Sequence, residues 1–126
     1  MKTRLQPLAL AGLLLQAAQA QTNPPATIVD LMVVYTPQAL NDAGGEARIH
    51  EQIDEFVAEA NRCFSNSQVN ARFNLVHRGA VSYTESGDWN TDRNRLHDTG
   101  DGYLDDVHRL RNLYKADLVM LHSWGL

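Results

Sequence analysis

The run of residues 28–35 places the strongest constraint on how this chain can fold. It reads IVDLMVVY, is almost continuously apolar and is rich in Val and Ile. A run of strand length with this composition is typical of a strand buried on both faces. Thr36 and Pro37 end it, because proline cannot continue a central strand. We therefore expect a central strand with a layer of structure on each side.

A helical pattern follows this strand. Asn41 or Asp42 is a candidate cap, and apolar residues then recur at steps of three and four, as in an amphipathic helix. These residues are Ile49, Ile53, Phe56, Val57, Ala60 and Phe64. The polar residues 65–67 end the helix.

Residues 69–78 alternate between apolar and polar side chains, which predicts a strand with one wet face. One face would carry Val69, Ala71, Phe73, Leu75 and His77, and the other Asn70, Arg72, Asn74 and Arg78. Gly79 is expected to mark a bend or bulge, because Val81 and Tyr83 keep the alternation beyond it.

The rest of the chain predicts a loop, a helix and a strand. Residues 84–102 are polar, with three glycines and four aspartates, and suit a long loop. Residues 101–114 predict a second helix, and residues 117–122 a short apolar strand. The order strand, helix, strand, loop, helix, strand predicts an α/β fold, a twisted and mostly parallel sheet with two backing helices. The sequence stops four residues after His122, which would leave one edge of the sheet uncovered, so we expect a truncated piece of a longer domain.

The N-terminus has the three parts of a secretory signal. Lys2 and Arg4 precede the apolar run LALAGLLL, and Ala18 and Ala20 form a small-x-small cleavage site. We expect cleavage after Ala20, a secreted protein (extracellular or periplasmic) and a single domain over residues 21–126. The apolar run is too short to span a membrane, which takes about 20 apolar residues.

Charge and cysteine content exclude several classes. The chain has 11 basic and 15 acidic residues, and removing residues 1–20 leaves 9 against 15, a net charge of −6. An acidic chain of this kind argues against a nucleic-acid partner. Cys63 is the one cysteine, so an intramolecular disulfide and a thiolate zinc cluster are excluded. Cys63 is expected to be a buried small apolar residue beside Phe64; the alternative is half of a disulfide with another chain.

One histidine lies in a pattern similar to a zinc-binding motif. The segment 50–54 resembles a broken His-Glu-x-x-His motif, with His50 and Glu51 in place and Asp54 where the second His would stand. In the intact motif, two imidazoles one helical turn apart bind zinc. Ile49 and Ile53 are needed for the core, which turns His50 and Asp54 toward the edge of the helix. A solvated helix face is the favoured interpretation, with a small metal protein using His50 and Asp54 as the alternative.

The remaining motifs also identify no functional site. Asn90, Asp92 and Asn94 have calcium-loop spacing, but Arg95 and Asp101 stand where that loop needs Gly and Glu. Helix capping explains at least one residue of the acidic group Asp98, Asp101, Asp105 and Asp106. The hydrolase elbow Gly-x-Ser-x-Gly and a glycine-rich phosphate loop do not occur, and single histidines such as His77, His108 and His122 are usually structural. We assign no catalytic, cofactor-binding or metal residue from these motifs.

The pattern as a whole resembles the N-terminal half of secreted, mostly bacterial, reprolysin-like zinc metalloproteases of the metzincin clan. The resemblance runs from about Ile28 to Leu121. The segments that carry it are 30–39 (DLMVVYTPQA), Ile49 and Ile53, 60–67 (ANRCFSNS), 69–73 (VNARF), 81–85 (VSYTE), 101–111 (DGYLDDVHRLR) and 114–119 (YKADLV).

This resemblance implies an upper subdomain of a catalytic domain that hydrolyses protein or peptide substrates with a zinc-bound water. The family's motif His-Glu-x-x-His-x-x-Gly-x-x-His comes after an edge strand that holds substrate, and no position up to Leu126 matches it. No zinc ligand can therefore be carried over, and the chain alone is expected to bind no catalytic zinc and to be inactive. The alternative is a secreted binding module that kept this fold without the zinc motif.

Overall fold

The computed structural model of the chain describes residues 23–124, so the predicted signal segment lies outside the described residues. Its elements are β1 (Thr27–Tyr35), α1 (Pro37–Ala43), α2 (Glu46–Asn66), β2 (Ala71–Ala80), α3 (Trp89–His97), α4 (Asp105–Tyr114) and β3 (Leu118–His122). The three strands form a parallel sheet in the order β2-β1-β3. The predicted α/β class and parallel sheet are confirmed.

The central strand β1 is buried on both faces, as its composition predicts. Leu31, Val33 and Tyr35 pack into a core with α1 and α2 on one face. Met32 and Val34 pack into a second core with α4 on the other face. All five side chains are at most 2% exposed, and each such burial contributes about 1.5–3 kcal/mol.

Helix α2 covers the first face of the sheet through Ile49 and Ile53, which are both buried. At about 100° per residue, Phe56 lies about 60° around the helix from Ile53. It is 43% exposed, because three strands offer a face narrower than the apolar stripe of the helix. Phe64 returns to the centre of the stripe and packs edge-on against Phe73, with ring centroids 5.2 Å apart.

Helix α1 is a short element that the sequence analysis missed. Thr36 caps it by accepting a hydrogen bond from Ala39 N at 3.0 Å, and Pro37 occupies its first turn. Asn41 and Asp42 lie inside this helix, so the prediction that one of them caps the long helix is wrong. Helix α2 instead begins after Gly45 without a side-chain cap. The signal was present, because Thr followed by Pro is a common helix start.

Strand β2 carries its bulge at Val76, three residues before the predicted position at Gly79. Leu31 pairs with Leu75, but Met32 pairs with His77, so Val76 is the extra residue. The bulge reverses the facing of the side chains that follow it. His77 therefore stacks on Tyr114 of α4, with centroids 3.9 Å apart, and Arg78 reaches α2, opposite to the predicted faces.

Gly79 has a different role from the predicted one. A Cβ added there would lie 2.8 Å from His77 Nε2. Glycine at this position therefore lets the imidazole ring lie close to the backbone of its own strand.

Helix α3 replaces the middle of the predicted long loop. Asp88 caps it by accepting from Thr91 N at 2.9 Å. Leu96 and Trp89 are its few large apolar residues, and this explains why apolar periodicity did not reveal it. Helix α4 begins at Asp105 rather than at residue 101.

The two edges of the sheet differ. On β2, the side-chain amide of Asn61 donates to Phe73 O at 3.0 Å and accepts from Phe73 N at 2.7 Å. These bonds satisfy both backbone groups of Phe73 that face away from β1. Within residues 23–124, β3 pairs with β1 alone, so its other edge is open in the described part of the chain.

The Asn61 bonds predict a measurable stabilisation. Replacing Asn61 by Ala leaves Phe73 N–H and C=O without these partners, and two hydrogen bonds are worth about 0.5–1.5 kcal/mol each. Alanine recovers part of this through its higher helix propensity. We expect urea unfolding to show a net loss of about 1 kcal/mol for Asn61→Ala. The exposed Gln52→Ala on the same helix is the matched control, and an equal change in both variants would contradict the role of Asn61.

The stacked His77 predicts a pH dependence of stability. Burial lowers the pKa of His77 below its ordinary value of 6.5, so the folded protein binds fewer protons than the unfolded chain. The free energy of unfolding should therefore fall as pH drops below about 6.5. Urea unfolding between about pH 7.5 and 5.5 should show a shallower dependence for His77→Gln than for the unmodified chain. The same slope in both proteins would contradict this role of His77.

Candidate functional site

The carboxyl ends of the three parallel strands meet at one edge of the sheet, where open α/β folds place ligand crevices. Thr36 follows β1 there, and its N–H donates to His122 O of β3 at 3.2 Å. The segment after β2 crosses the same edge, with Val81 N donating to Tyr35 O at 3.0 Å. We call this region the carboxyl edge, defined by Tyr35, Thr36, His122 and the segment 81–88.

Glu85 joins the carboxyl edge to the chain that leaves β3. The Thr36 hydroxyl, which is fully buried, donates to Glu85 Oε1. The same oxygen accepts from Trp124 N at 2.9 Å. A carboxylate that accepts two such bonds holds them more strongly than a neutral acceptor does. Glu85 therefore fixes the direction in which the chain continues past β3.

Tyr35 and His50 form a second polar contact at this edge. Tyr35 Oη lies 3.1 Å from His50 Nε2, with the rings edge to face. Burial, followed by the charge of Glu46, raises the pKa of Tyr35, and Arg78 opposes this. The favoured interpretation of His50 and Asp54 as a solvated helix face holds for Asp54, whose side chain is 56% exposed, but not for His50, whose side chain is 25% exposed. The bond to Tyr35 at the end of β1 explains that position.

Asp54 does not join His50 in a ligand pair. Its carboxylate accepts from Arg78, which the bulge in β2 turns toward α2. Arg78 also donates to His50 O at 3.4 Å. The side chain of His50 thus bonds Tyr35 and that of Asp54 bonds Arg78, and the alternative of a metal site built on both gains no support from this geometry.

Asp92 is the centre of a buried polar network. It accepts from Tyr83 Oη and, at 2.9 Å, from Ser86 N. Arg95 donates to Tyr83 Oη at 3.2 Å and lies 3.6 Å from the centre of the Tyr103 ring. Burial alone would raise the pKa of Asp92, but the hydrogen bonds from Tyr83 and Ser86 outweigh it, so the pKa is lowered. This network ties α3 to the segment 81–88.

The remaining polar candidates do not form a ligand set. Asn90, Asp92 and Asn94 lie on helix α3 rather than in a calcium loop. Asp105 accepts from Gly100 N at 2.7 Å and Gly102 N at 3.1 Å, and the first of these bonds lowers its pKa. It thus bonds the loop before α4, whose N-cap position is Leu104 without a side-chain bond, while Asp98 of the same acidic group stands at the C-cap of α3. His108 Nε2 lies 3.1 Å from Asp98 O.

Cys63 is exposed, and the prediction that it is buried is wrong. At about 100° per residue it lies about 80° around α2 from Ile53, beyond the part of the helix that faces the sheet. Its sulfur lies 3.8 Å from Glu59 Oε1. A half-disulfide with another chain therefore stays open as the alternative.

The family resemblance implies a catalytic zinc, which needs several ligand side chains that converge on one point. Over residues 23–124, no three or more His, Cys, Asp or Glu side chains converge as a metal would need. The described residues therefore do not fit a catalytic zinc, and no step of a reaction is assigned to them through a metal.

A mostly apolar cavity of about 300 Å³ runs along the open edge of β3. Leu118 and Trp89, which line it, are each 49% exposed. Its other apolar lining residues include Leu31, Leu96, Met120 and Leu121. Large apolar side chains beside an open strand edge mark a surface suited to covering by further polypeptide.

Sequence reasoning missed the contacts that organise the carboxyl edge. Thr36 and Glu85 are 49 positions apart and Glu85 and Trp124 are 39 apart, so no local pattern joins them. Thr36 alone could have been found from its place before Pro37.

No described helix is long and apolar enough to cross a membrane.

Comparison with known proteins identifies relatives of this chain. A peptidyl-Asp metalloendopeptidase of Xanthomonas campestris is 42% identical over 102 residues, which cover 81% of this chain and 24% of the relative. One from Stenotrophomonas maltophilia is 40% identical over 104 residues, covering 82% and 24%. One from Pseudomonas aeruginosa is 37% identical over 116 residues, covering 90% and 18%.

The chain thus spans about a quarter or less of the length of these relatives. No solved structure matches it significantly. The model of the family described as metallo-peptidase family M12B, reprolysin-like, matches residues 25–124, which is the whole of the layer formed by β1, β2, β3 and their helices. This chain belongs to the reprolysin-like metallopeptidases of family M12B.

Proposed function

We propose that this chain is the N-terminal part of a secreted zinc metalloendopeptidase that hydrolyses peptide bonds at aspartate residues. The observation that carries the proposal is the match over residues 25–124 to a metallopeptidase family. Relatives at 37–42% identity are named peptidyl-Asp metalloendopeptidases. We take from this name both the proposed preference for peptide bonds at aspartate and the proposed peptide or protein substrates.

The length of the relatives supports the proposal that the chain is a piece of the enzyme. Up to 24% of each relative is covered, and the described residues do not fit a catalytic zinc. We propose that the zinc ligands and the catalytic glutamate lie in sequence that follows Leu126. The chain by itself would then bind no catalytic zinc and cleave nothing.

The open edge of β3 supports the same proposal. The cavity of about 300 Å³ along this edge exposes apolar side chains that further polypeptide would bury. Glu85 holds Trp124 N, and so directs the chain out of β3. Residues 23–124 then serve as the support on which the rest of the catalytic domain is built, with Thr36 and Glu85 as positioning residues.

Secretion is part of the proposal and rests on residues 1–20. The positive start, the apolar run and Ala18 and Ala20 match a secretory signal. We propose cleavage after Ala20 and a domain that starts at Gln21. N-terminal sequencing of the exported protein would test it, and an N-terminus other than Gln21 would contradict the cleavage position.

The gene provides the sharpest test of the proposed function. Reading the source nucleic acid past codon 126 should reveal His-Glu-x-x-His-x-x-Gly-x-x-His within about the next 30–60 codons, in frame or one shift away. In frame, the motif indicates that this chain is part of an active enzyme; shifted, it indicates a broken gene. A true stop with no such motif downstream would contradict the proposal and favour the secreted binding module.

The activity of the two forms gives an independent prediction. The complete protein should cleave an Asp-containing peptide, lose this activity with a zinc chelator, and leave the matched peptide with Asn in place of Asp largely uncut. The 126-residue chain should leave both peptides intact. Chelator-sensitive cleavage by the chain alone would show that its own residues form the active site and would contradict the proposed division.

A further inference from the structure

Residues 97–103, which comprise the last residue of α3 and most of the link to α4, are seven consecutive exposed residues. Asp101 lies at position five of this stretch and four residues from the end of each neighbouring helix. Gly100 and Gly102 flank it. This stretch, which we call the 97–103 loop, offers an aspartate on a segment that a protease can reach.

The other aspartates are held in regular structure or by backbone bonds. Residues 23–124 contain ten, and six of them lie within strands or helices: Asp30, Asp42, Asp54, Asp92, Asp105 and Asp106. Asp88 caps α3. Asp98 N donates to Asn94 O at 2.8 Å, and Asp117 N donates to Asp30 O at 2.8 Å. Asp101 is held instead by bonds within the loop, its own Oδ1 accepting from Tyr103 N at 3.1 Å, so exposing its peptide bonds requires opening the loop and not unfolding a helix or strand.

The 97–103 loop is not extended, but its two glycines allow it to become extended. Proteases bind their substrates as extended strands. Gly100 has φ +109° and Gly102 has φ +88°, in the left-handed region. Glycine passes from there to extended backbone without a steric penalty, so the two residues beside Asp101 can change conformation while α3 and α4 stay in place.

Asp105 holds the loop closed. Its two carboxylate oxygens accept from Gly100 N at 2.7 Å and from Gly102 N at 3.1 Å, on both sides of Asp101. An extended loop must break both bonds. The rate of cutting in a locally opening segment follows the population of the open form, so the bonds to Asp105 lower the population in which the backbone around Asp101 is extended.

We propose that a peptide bond of Asp101 is a cleavage site at which Asp-directed endopeptidases of this chain's own family, including the complete protein, cut the folded domain. The inference rests on the proposed function for its bond preference. Water adds across the amide: the C–N bond breaks, the carbonyl carbon takes the hydroxyl group and the nitrogen takes the hydrogen. The cut breaks the covalent link between α3 and α4, while β3 remains paired with β1 in the sheet, and one enzyme molecule would make it in another.

The test uses the folded 126-residue chain and the Xanthomonas campestris relative as the protease. Intact-mass analysis and N-terminal sequencing of a time course should show the first cut at Asp101, and a chelator should prevent it. Asp101→Asn, which keeps a side-chain oxygen to accept from Tyr103 N, should remove this cut. Asp101→Glu is a second variant, and circular dichroism confirms that each variant is folded.

Asp105→Ala and Asp106→Ala are a matched pair of variants. Asp105→Ala removes both bonds to the loop and should speed the Asp101 cut about tenfold. Asp106→Ala, in the same helical turn, should leave the rate unchanged, because Asp106 pairs with Arg109 rather than with the loop. Equal rates in both variants would contradict the proposal that the bonds from the loop to Asp105 slow the cut.

The outcomes separate this inference from the proposed function. A first cut elsewhere, or simultaneous cutting at many aspartates, would overturn the inference. The urea-unfolded chain is the positive control for the protease, and failure to cut it at aspartates would overturn the bond preference on which the inference rests. Because the protease is a relative's, neither result depends on whether the zinc motif follows codon 126 of this gene.

Discussion

The pairing and burial of β1 is the interaction on which the rest of the structure depends. This strand is hydrogen-bonded to β2 along one side and to β3 along the other. Its alternate side chains fill both cores, with Leu31, Val33 and Tyr35 on one face and Met32 and Val34 on the other. Each helix layer therefore packs against the same strand, and each edge strand is positioned by it. Loss of β1 would remove both cores together.

The contacts at the carboxyl edge of the sheet also depend on β1. Because β1 ends at Tyr35 between its two neighbours, Thr36 can bond His122 O and Glu85 at once. Tyr35 reaches His50 on the α2 side. The contacts that would direct a continuing chain toward an active site thus start from the last residue of β1 and the residue that follows it. Under the proposed function, residues 23–124 support the rest of the catalytic domain and do not supply the metal ligands.

Much of the fold could be predicted from the sequence, because β1, α2, α4 and β3 each bury a regular apolar pattern. The bulge at Val76 could not, since Val76 and His77 both suit a half-buried strand and only the pairing with Leu31 and Met32 decides the register. Helix α3 has few apolar residues, and its key contact is the buried Asp92. The exposure of Cys63 depends on the width of the sheet, which the sequence of the helix does not encode. At the carboxyl edge, the contacts of Glu85 span 39 and 49 positions and leave no local signal.

Native-state hydrogen exchange of the 126-residue chain tests the central claim most directly. If β1 carries both cores and β3 has an open edge, the β1 amides should exchange slowest, near the rate of global unfolding. Alternate amides of β3, those that face away from β1, should exchange many times faster than their neighbours. Fast exchange in β1, or slow exchange at every amide of β3, would contradict a layer organised by β1 and open along β3.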